Sequence, residues 1–475
     1  MPSKHPGAAL AVALAALAGA VAAPAALIAQ AAPAALTAQD APPVATGTTT
    51  ELAAPAPSEP PAAMGHTDAS AAGDRLERET LIAAVLALNP GVEAARQALA
   101  AARERVPQAT ALEDPMASYS LAPLSIASDD VPFGQVLEAR QRLPFPGKLR
   151  LRGEAAQAEA EAAEADLATV RLELAVAASV LYDDYYLVHR ALAITAEHVR
   201  LLEDFQRIAT ARYAAGLAPQ HAPIQAEVEL AHLAHRQMSL ETDREVVAAR
   251  LNALLHRPPD AALGPPVERL PEPEPTAVPP GDLVAAAVAS RPELIRLSAE
   301  RGAREAVIEL RELDRYPDFE AMASYNSMWM DTDHQWMVGV GVNIPLQRGR
   351  IRAGVAEARA EAAKVESESA RLTDEIGAEV AAAAARLRET QHILVLYHSR
   401  LIPAAHDQVR AALAGFETGQ GSFLDLIEAE RNQSTVELDY EETLADSYRR
   451  RAELARALGT WPPPTGAPAD EGDPR

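Results

Sequence analysis

The chain repeats itself at a nearly constant spacing, and this internal duplication constrains its fold more than any other feature of the sequence. Residues 81–90 match residues 283–292, and residues 147–150 match residues 349–352, each displaced by 202 positions. Three further markers recur at nearly the same distance: Asp114-Pro115 with Tyr316-Pro317, Met116–Tyr119 with Met322–Tyr325, and Tyr213–Gly216 with Phe416–Gly419. A unit of about 200 residues is far longer than a solenoid repeat. The sequence therefore predicts one architecture built twice, as repeat 1 over 77–278 and repeat 2 over 279–460.

The two ends of the chain differ in composition from the repeats. Residues 1–31 combine Lys4 with an apolar stretch and the sequence Ala29-Gln30-Ala31, a pattern that predicts a cleaved signal peptide. A membrane anchor is the alternative, but the apolar stretch is shorter than a spanning helix. Residues 32–76 and 461–475 are rich in small residues and proline without periodicity, which predicts a disordered lead segment and a disordered tail.

Each repeat contains a very long helical stretch, a glycine-marked turn and a returning helix. No proline lies within 147–218, and about 65 residues at 1.5 Å rise give a helix of roughly 100 Å. Apolar residues there recur every three or four positions, as in a coiled coil: Leu167, Val170, Leu174, Ala177, Leu181, Tyr185, Val188 and Leu192. The return is predicted over 222–256. In repeat 2 the same elements are predicted over 349–402 and 422–459, with a joint at Pro403.

Two pairs of short segments alternate apolar and polar residues at period two, which is typical of half-buried strands. We predict β-hairpins at about 115–143 and 317–345. The side of the second hairpin that we expect to face lipid carries Phe319, Tyr325, Trp336, Val338, Val340 and Val342. In the first hairpin, Glu138, Arg140 and Arg142 alternate with Leu137, Ala139 and Leu143. An ordinary hairpin on a soluble coiled-coil protein is the alternative, but so few strands are marginal in water unless something covers them.

The number of strands argues for assembly from several copies. Strands of about ten residues suit a membrane β-barrel, and sheet edges in lipid must close into a ring. Four strands per chain are fewer than the roughly eight of the smallest bacterial barrels. Two chains would supply about eight strands around an interior filled by side chains, whereas three chains supply about 12 and leave an aqueous lumen, which is the better choice if the polar faces line water. We therefore predict a mainly α-helical protein with a small β part. Its internally duplicated, long α-helical coiled-coil barrel would continue a 12-stranded transmembrane β-barrel formed by a homotrimer.

Residues 78–460 resemble the TolC-like outer membrane efflux protein family. The resemblance is carried by the duplication, by strand pairs that end at Leu143-Pro144 and Ile344-Pro345, and by the two aromatic-x-x-Gly turns noted above. The sequence Ser422–Ala429 is similar to the family's Asp-hydrophobic-hydrophobic-acid-Ala signature. The resemblance implies a homotrimer in outer membrane lipid whose periplasmic extension docks to a periplasmic adaptor protein and an inner-membrane pump. The segment Leu143–Leu149 is similar to the branch that serves heavy-metal export pumps.

Asp425 and Glu428 are the candidate pore residues. They lie three positions apart, on one face of the helix that follows the second turn. The resemblance implies that such acids narrow the periplasmic end of the pore, where carboxylates from three chains would repel anions and favour cations. A local role is the alternative, because Ser422 and Asp425 have the spacing of a capping box.

The two turns are candidates for the periplasmic tips and for contact with the adaptor. The residues concerned are Tyr213, Gly216, Phe416, Gly419, Gly421 and Ser422. Met328, Met330 and His334 are weak metal candidates, because Met and His suit soft or borderline metals, but a polar loop needs no ligand and we predict no metal site. Lys148, Arg150 and Arg152 are expected to form a basic collar after the first hairpin.

Composition excludes several classes of function. The 43 Lys and Arg against 67 Asp and Glu give a net charge of −24, which argues against a nucleic-acid partner. The chain has no cysteine, and it carries no recognisable catalytic motif, so we predict neither an enzyme nor a cofactor. The predicted function is a passive exit duct from periplasm to outside, with heavy-metal cations as candidate cargo. The alternatives are a periplasmic adaptor subunit, which needs many more strands, and an exported structural coiled-coil protein, which needs none.

Overall fold

The structure, a computed structural model, describes residues 75–126, 133–272, 280–329 and 334–462. The predicted signal peptide and nearly all of the predicted lead segment and tail lie outside these ranges, so those three assignments stay predictions. The described helices are α1 Arg78–Leu88, α2 Pro90–Thr110, α3 Lys148–Ala214, α4 His221–Leu254, α5 Pro280–Ser290, α6 Pro292–Glu312, α7 Arg348–Leu396, α8 Ile402–Thr418 and α9 Phe423–Leu458. The described strands are β1 Met116–Leu121, β2 Gln135–Leu143, β3 Phe319–Asn326 and β4 Trp336–Val342.

The described residues fall into two compact units. The sheet unit consists of residues within 112–145 and 317–344, and the helical unit contains the remaining described segments. Each unit draws on both repeats, because every repeat contributes one hairpin of strands and its own set of helices.

The sheet unit is one antiparallel sheet in the order β1-β2-β3-β4. Its central pair, β2 with β3, joins a strand of repeat 1 to a strand of repeat 2, from Val136 opposite Asn326 to Leu143 opposite Phe319. The two hairpins predicted from period-two alternation are therefore present, and they are neighbours in a single sheet.

The strand register sorts the side chains into two chemically different faces. Tyr325 lies opposite Trp336, and Ala323 lies opposite Val338, so the residues expected to face lipid form one apolar row. Trp336, Val338, Val340 and Val342 are all exposed in the single chain. Arg142 lies opposite Glu320 and alternates with that row, so the other face carries the charged residues. Closure into a ring and contact with lipid stay predictions.

Prolines and glycines set the ends of the helices. Pro90 and Pro292 occupy the first turns of α2 and α6, where a missing backbone N–H costs nothing. The Asn89 side chain caps α2 by accepting a hydrogen bond from the backbone N of Gly91 at 2.8 Å. Gly419 ends α8 at φ 73° in the left-handed region, which glycine adopts without the penalty that a Cβ atom would bring.

Helix α3 packs on more sides than a single coiled-coil seam provides. The predicted seam residues are half-buried apart from Tyr185, whereas the fully buried line runs through Tyr182, Tyr186, Leu202 and Phe205. The cause is that α2, α4, α6 and α9 all contact α3. The coiled-coil spacing therefore describes only part of the packing of α3, because a helix surrounded by neighbours buries residues around most of its circumference.

The expected joint at Pro403 is a π-helical turn over Tyr397–Leu401, immediately before α8. A π-turn there accommodates a proline that cannot donate a backbone hydrogen bond. Among the described residues, no helix is both long enough and apolar enough to span a bilayer.

Candidate functional site

The two helical hairpins of the helical unit, α3–α4 from repeat 1 and α8–α9 from repeat 2, share one apolar cluster near their turns. The buried residues of this tip cluster are Leu202, Phe205, Ala209, Ala222, Ala226, Leu233, Val409, Phe416, Phe423, Leu426, Ile427 and Ala429. Each hairpin supplies about half of the cluster, so the two hairpins bury apolar surface against each other near their turns.

Arg212 connects the two turns directly. Its Nη1 donates a hydrogen bond to the backbone oxygen of Glu417 at 2.6 Å. Its guanidinium lies 5.1 Å from the ring centroid of Phe416, which itself packs edge-to-face against Phe423 at 5.2 Å. The turn of repeat 1 is thus fastened to the C-terminus of α8, where a cation is also favoured by the helix dipole.

The predicted tip residues have different environments. Tyr213 is 44% exposed and Ser422 is exposed, whereas Phe416 is only 4% exposed and belongs to the tip cluster. Gly216 has φ 71°, as the turn requires. Gly421 packs so closely on the preceding turn that a Cβ atom would lie 3.2 Å from the carbonyl carbon of Gly415. Tyr213 and Ser422 can therefore contact a partner, while Phe416 and Gly421 shape the turn.

Asp425 and Glu428 are both exposed on the first turns of α9. Asp425 forms the predicted capping box, since its carboxylate accepts from the backbone N of Ser422 at 2.9 Å and its own backbone N donates to Ser422 Oγ at 3.1 Å. These hydrogen bonds lower the pKa of Asp425, so the group is ionised at neutral pH. The local role is therefore observed for Asp425, and no capping contact of this kind holds Glu428 among the described hydrogen bonds.

A histidine that sequence reasoning missed lies buried between the two hairpins. The Nδ1 atom of His198 on α3 is 2.7 Å from Glu430 Oε1, and its Nε2 atom is 3.1 Å from Glu437 Oε2. Glu437 Oε1 also lies 3.0 Å from His406 Nε2 and accepts a hydrogen bond from Gln433 Nε2 at 2.8 Å. No local motif marks this cluster; the only available signal is a histidine on a buried helix face with acids on another helix.

Hydrogen bonding decides the charge of this cluster. Burial alone would lower the pKa of His198, but its bonds to the two carboxylates raise it to about 9. Burial opposes ionisation of Glu437, yet the donors around it lower its pKa to about 2. At neutral pH, His198 is therefore a cation that contacts the carboxyl groups of Glu430 and Glu437.

Two further charged contacts that the sequence did not reveal join helices of different repeats. Arg431 of α9 pairs with the buried Glu229 of α4. Glu441 of α9 accepts from Tyr186 Oη at 2.7 Å and from Arg190 Nη2 at 2.8 Å, both on α3. Their partners are separated by 200 residues or more, so only the packed helices bring them together.

The described residues among the weak metal candidates Met328, Met330 and His334 do not form a ligand cluster. Met328 is exposed, its backbone N donates to Asn326 Oδ1 at 3.0 Å, and the His334 ring lies 6.4 Å from that of Trp329. Met330 lies outside the described residues. No group of three or more His, Cys, Asp or Glu residues in the described ranges could hold a metal ion.

Of the residues expected to form a basic collar, Lys148 departs from the prediction. Its side chain is buried and its Nζ atom lies 3.2 Å from Asp314 Oδ1, within the helical unit. Arg150 is exposed and Arg152 is half-buried. Lys148 is therefore a packing residue at the start of α3, because an ammonium buried at that position requires an acidic partner.

Comparison with known proteins supplies independent findings. Residues 283–460 match the family model described as outer membrane efflux protein. The outer-membrane channel OprN is 21% identical with a TM-score of 0.67, over 80% of this chain and 89% of OprN. VceC of Vibrio cholerae is 18% identical with a TM-score of 0.67, over 81% of this chain and 96% of VceC. CusC is 18% identical with a TM-score of 0.69, over 81% of this chain and 92% of CusC. No curated protein sequence matches significantly.

These similarities confirm the predicted fold class, mainly α with a small antiparallel sheet, over about four-fifths of the chain.

Proposed function

We propose that this protein is the outer membrane channel of a tripartite efflux system, because residues 283–460 match the outer membrane efflux protein family model and most of the chain has the fold of such channels. It would act as a passive exit duct from periplasm to outside. The predicted TolC-like family and the predicted outer membrane location agree with this assignment.

The observation that carries the proposal is the two-faced sheet. Its apolar row is exposed, although exposed contiguous apolar surface is unfavourable in water. Its outer strands, β1 and β4, each pair on one side only within the described residues. Lipid on the apolar face and neighbouring chains at both edges would satisfy each of these features, and three chains supply the strands of a homotrimeric, 12-stranded barrel.

The hairpin turns are proposed as the periplasmic tips. Exposed Tyr213 and Ser422 would contact a periplasmic adaptor protein, which in turn would connect the channel to an inner-membrane pump. Asp425 and Glu428 are exposed beside them, and three copies would surround the pore with six carboxylates. A ring of this charge favours cations at the entrance.

Heavy-metal cations are the proposed cargo. The support is the segment Leu143–Leu149, which links β2 to α3 and is similar to the heavy-metal branch of the family. The acidic tip is consistent with a cationic cargo. A deletion strain should lose resistance to Cu, Zn, Co or Cd, whereas loss of resistance to lipophilic drugs alone would contradict this choice of cargo.

The channel itself is tested by fractionation and reconstitution. We expect the protein in the outer membrane fraction, soluble only in detergent, with the mass of three chains, and we expect ion conductance after insertion into planar bilayers. A water-soluble monomer or dimer without conductance would refute the proposal and favour an adaptor or a structural coiled-coil protein.

A further inference from the structure

Three polar connections join the two hairpins near the tip cluster: Arg212 with the backbone of Glu417, Arg431 with Glu229, and His198 with two carboxylates. The first two depend on guanidinium groups, which keep their charge at every physiological pH. The third depends on an imidazole, whose charge can change under conditions that leave the protein folded. Of these three connections, only the one at His198 can respond to protons.

The geometry at His198 requires a charged ring. Both ring nitrogens face carboxylate oxygens, Nδ1 that of Glu430 and Nε2 that of Glu437. A neutral imidazole has one N–H, so its other nitrogen would direct a lone pair at an anion. The His198 and Glu430 side chains are 2% and 1% exposed, which leaves little water to screen that repulsion.

The charged groups around His198 come from four helices. Glu430 and Glu437 of α9 face it directly, and His406 of α8 shares Glu437. On α4, Glu229 is already neutralised by Arg431. The groove beside the ring is lined by further charged residues of α3 and α8: Glu197, Arg200, Asp204, Asp407 and Arg410. Among the described contacts, His198 alone bonds the buried Glu430 carboxylate, so loss of its proton removes the cation in contact with that group and leaves Arg431 as a more distant charge, whereas the partly exposed Glu437 keeps His406 and Gln433.

We propose that His198 is a proton-dependent latch between the repeat 1 hairpin and the repeat 2 hairpin, closed when the ring is protonated and released when it loses its proton. The pore consequence rests on the proposed channel function, because the latch holds together the hairpins whose turns carry Asp425 and Glu428. Because the pKa of His198 is raised to about 9, the connection that its charged ring makes is present at acidic and neutral pH. The connection is lost as pH rises through about 9.

The first test measures the latch without relying on conduction. The chain has no cysteine, so a pair introduced by Arg207→Cys and Arg410→Cys, both at exposed positions on α3 and α8, can carry spin labels. In the full chain in detergent, the distance between labels on α3 and α8 should increase between pH 7 and pH 10 with a midpoint near 9. The same protein carrying His198→Gln should show the wider distance at every pH. A distance independent of pH in the protein that retains His198 would overturn the proposal.

The second test measures the pore. Single-channel conductance of the wild-type protein should rise over the same pH interval, and His198→Gln should conduct at the high level throughout. His198→Lys, which keeps a cation at high pH, should shift the transition to higher pH, so it separates loss of charge from loss of fold. His221→Gln, at an exposed position at the start of α4, is the matched control and should retain the wild-type transition. An identical transition in His198→Gln would refute the latch, whereas a label response without any conductance would refute the channel function alone.

Discussion

Individual side chains of α3 bring charge into the helical core. Asp183 is fully buried, and its carboxylate accepts hydrogen bonds from both Nη atoms of Arg78, at 3.1 and 2.5 Å. Arg78 also donates to Ser179 Oγ at 2.9 Å and lies 4.3 Å from the ring centroid of Tyr448. Burial raises the pKa of Asp183 to about 6, although Arg78 favours its charged form. The fold therefore depends on Arg78 as the counter-charge of a carboxylate that water cannot reach.

Removing Arg78 should be strongly destabilising. Arg78→Ala leaves Asp183 without its cation, and breaking a buried pair in this way costs about 3–5 kcal/mol of unfolding free energy. Because Arg78 lowers the pKa of Asp183, its removal raises that pKa further above about 6, so the deficit should shrink as pH falls toward about 6 and should be lost below that value, where Asp183 is neutral in both proteins. Circular dichroism during denaturant unfolding measures both effects.

Arg96→Ala is the matched control for Arg78→Ala. Arg96 pairs with Glu93 on the exposed surface of α2, where solvent screens the pair and it contributes little to stability. Equal losses of stability in the two variants would contradict the importance assigned to the buried pair.

The acids at the start of α9 can be separated into capping and pore roles. Asp425→Ala combined with Glu428→Ala removes two carboxylates per chain and should raise single-channel conductance, if these groups narrow the pore as the family resemblance implies. Ser422→Ala is the matched control, because it breaks the capping box at a cost of about 1 kcal/mol while keeping both charges. Unchanged conductance in the double variant would mean that the acids act only on the helix.

At the scale of elements, close backbone packing fixes the second turn. Gly421→Ala places a methyl group 3.2 Å from the carbonyl carbon of Gly415 and should distort the turn, lowering thermal stability and, if the turn docks an adaptor as proposed, adaptor binding. Gly302→Ala on α6 is the control, since no atom lies within 4 Å of the position that its new Cβ atom would take and alanine is the better helix former by about 1 kcal/mol. A Gly421→Ala protein as stable as wild type would show that the turn tolerates a shift.

The two faces of the sheet should differ in their tolerance of charge. Val340→Arg puts a cation on the apolar row and should reduce the amount of assembled protein in the outer membrane, at a cost of about 2–4 kcal/mol if the position is near the bilayer centre. Ser324→Arg, on the charged face opposite Met337, should assemble normally. Equal assembly of both variants would show that the apolar row does not face lipid.

At the scale of the whole molecule, each repeat supplies one pair of strands and one helical hairpin, and these elements bury surface against their counterparts from the other repeat. β2 and β3 pair across the two repeats, so one chain makes one sheet with two edges instead of two separate hairpins. The helical hairpins likewise share the tip cluster, with residues such as Phe205 from repeat 1 and Phe416 from repeat 2. Each repeat thus depends on the other for burial, which explains why neither is a compact unit by itself.

Much of the fold could be predicted because it follows from the local spacing of apolar residues and from the positions of proline and glycine. Alternation at period two located the strands and their faces, proline-free stretches followed by glycine located α3 and α9, and Gly419 located the end of α8. The capping box at Ser422 was also predictable, since its partners are three residues apart. The burial of Lys148 and Phe416 was not, because it depends on neighbours distant in sequence.

The sequence by itself determined which faces of the strands and helices are apolar, where the chain turns, and that the pattern occurs twice. Tertiary structure alone decided that His198 meets Glu430, 232 positions away, and that Arg78 meets Asp183. The physical reason is that periodicity specifies the apolar side of an element, whereas the rotation and sliding of packed helices specify which charges face each other.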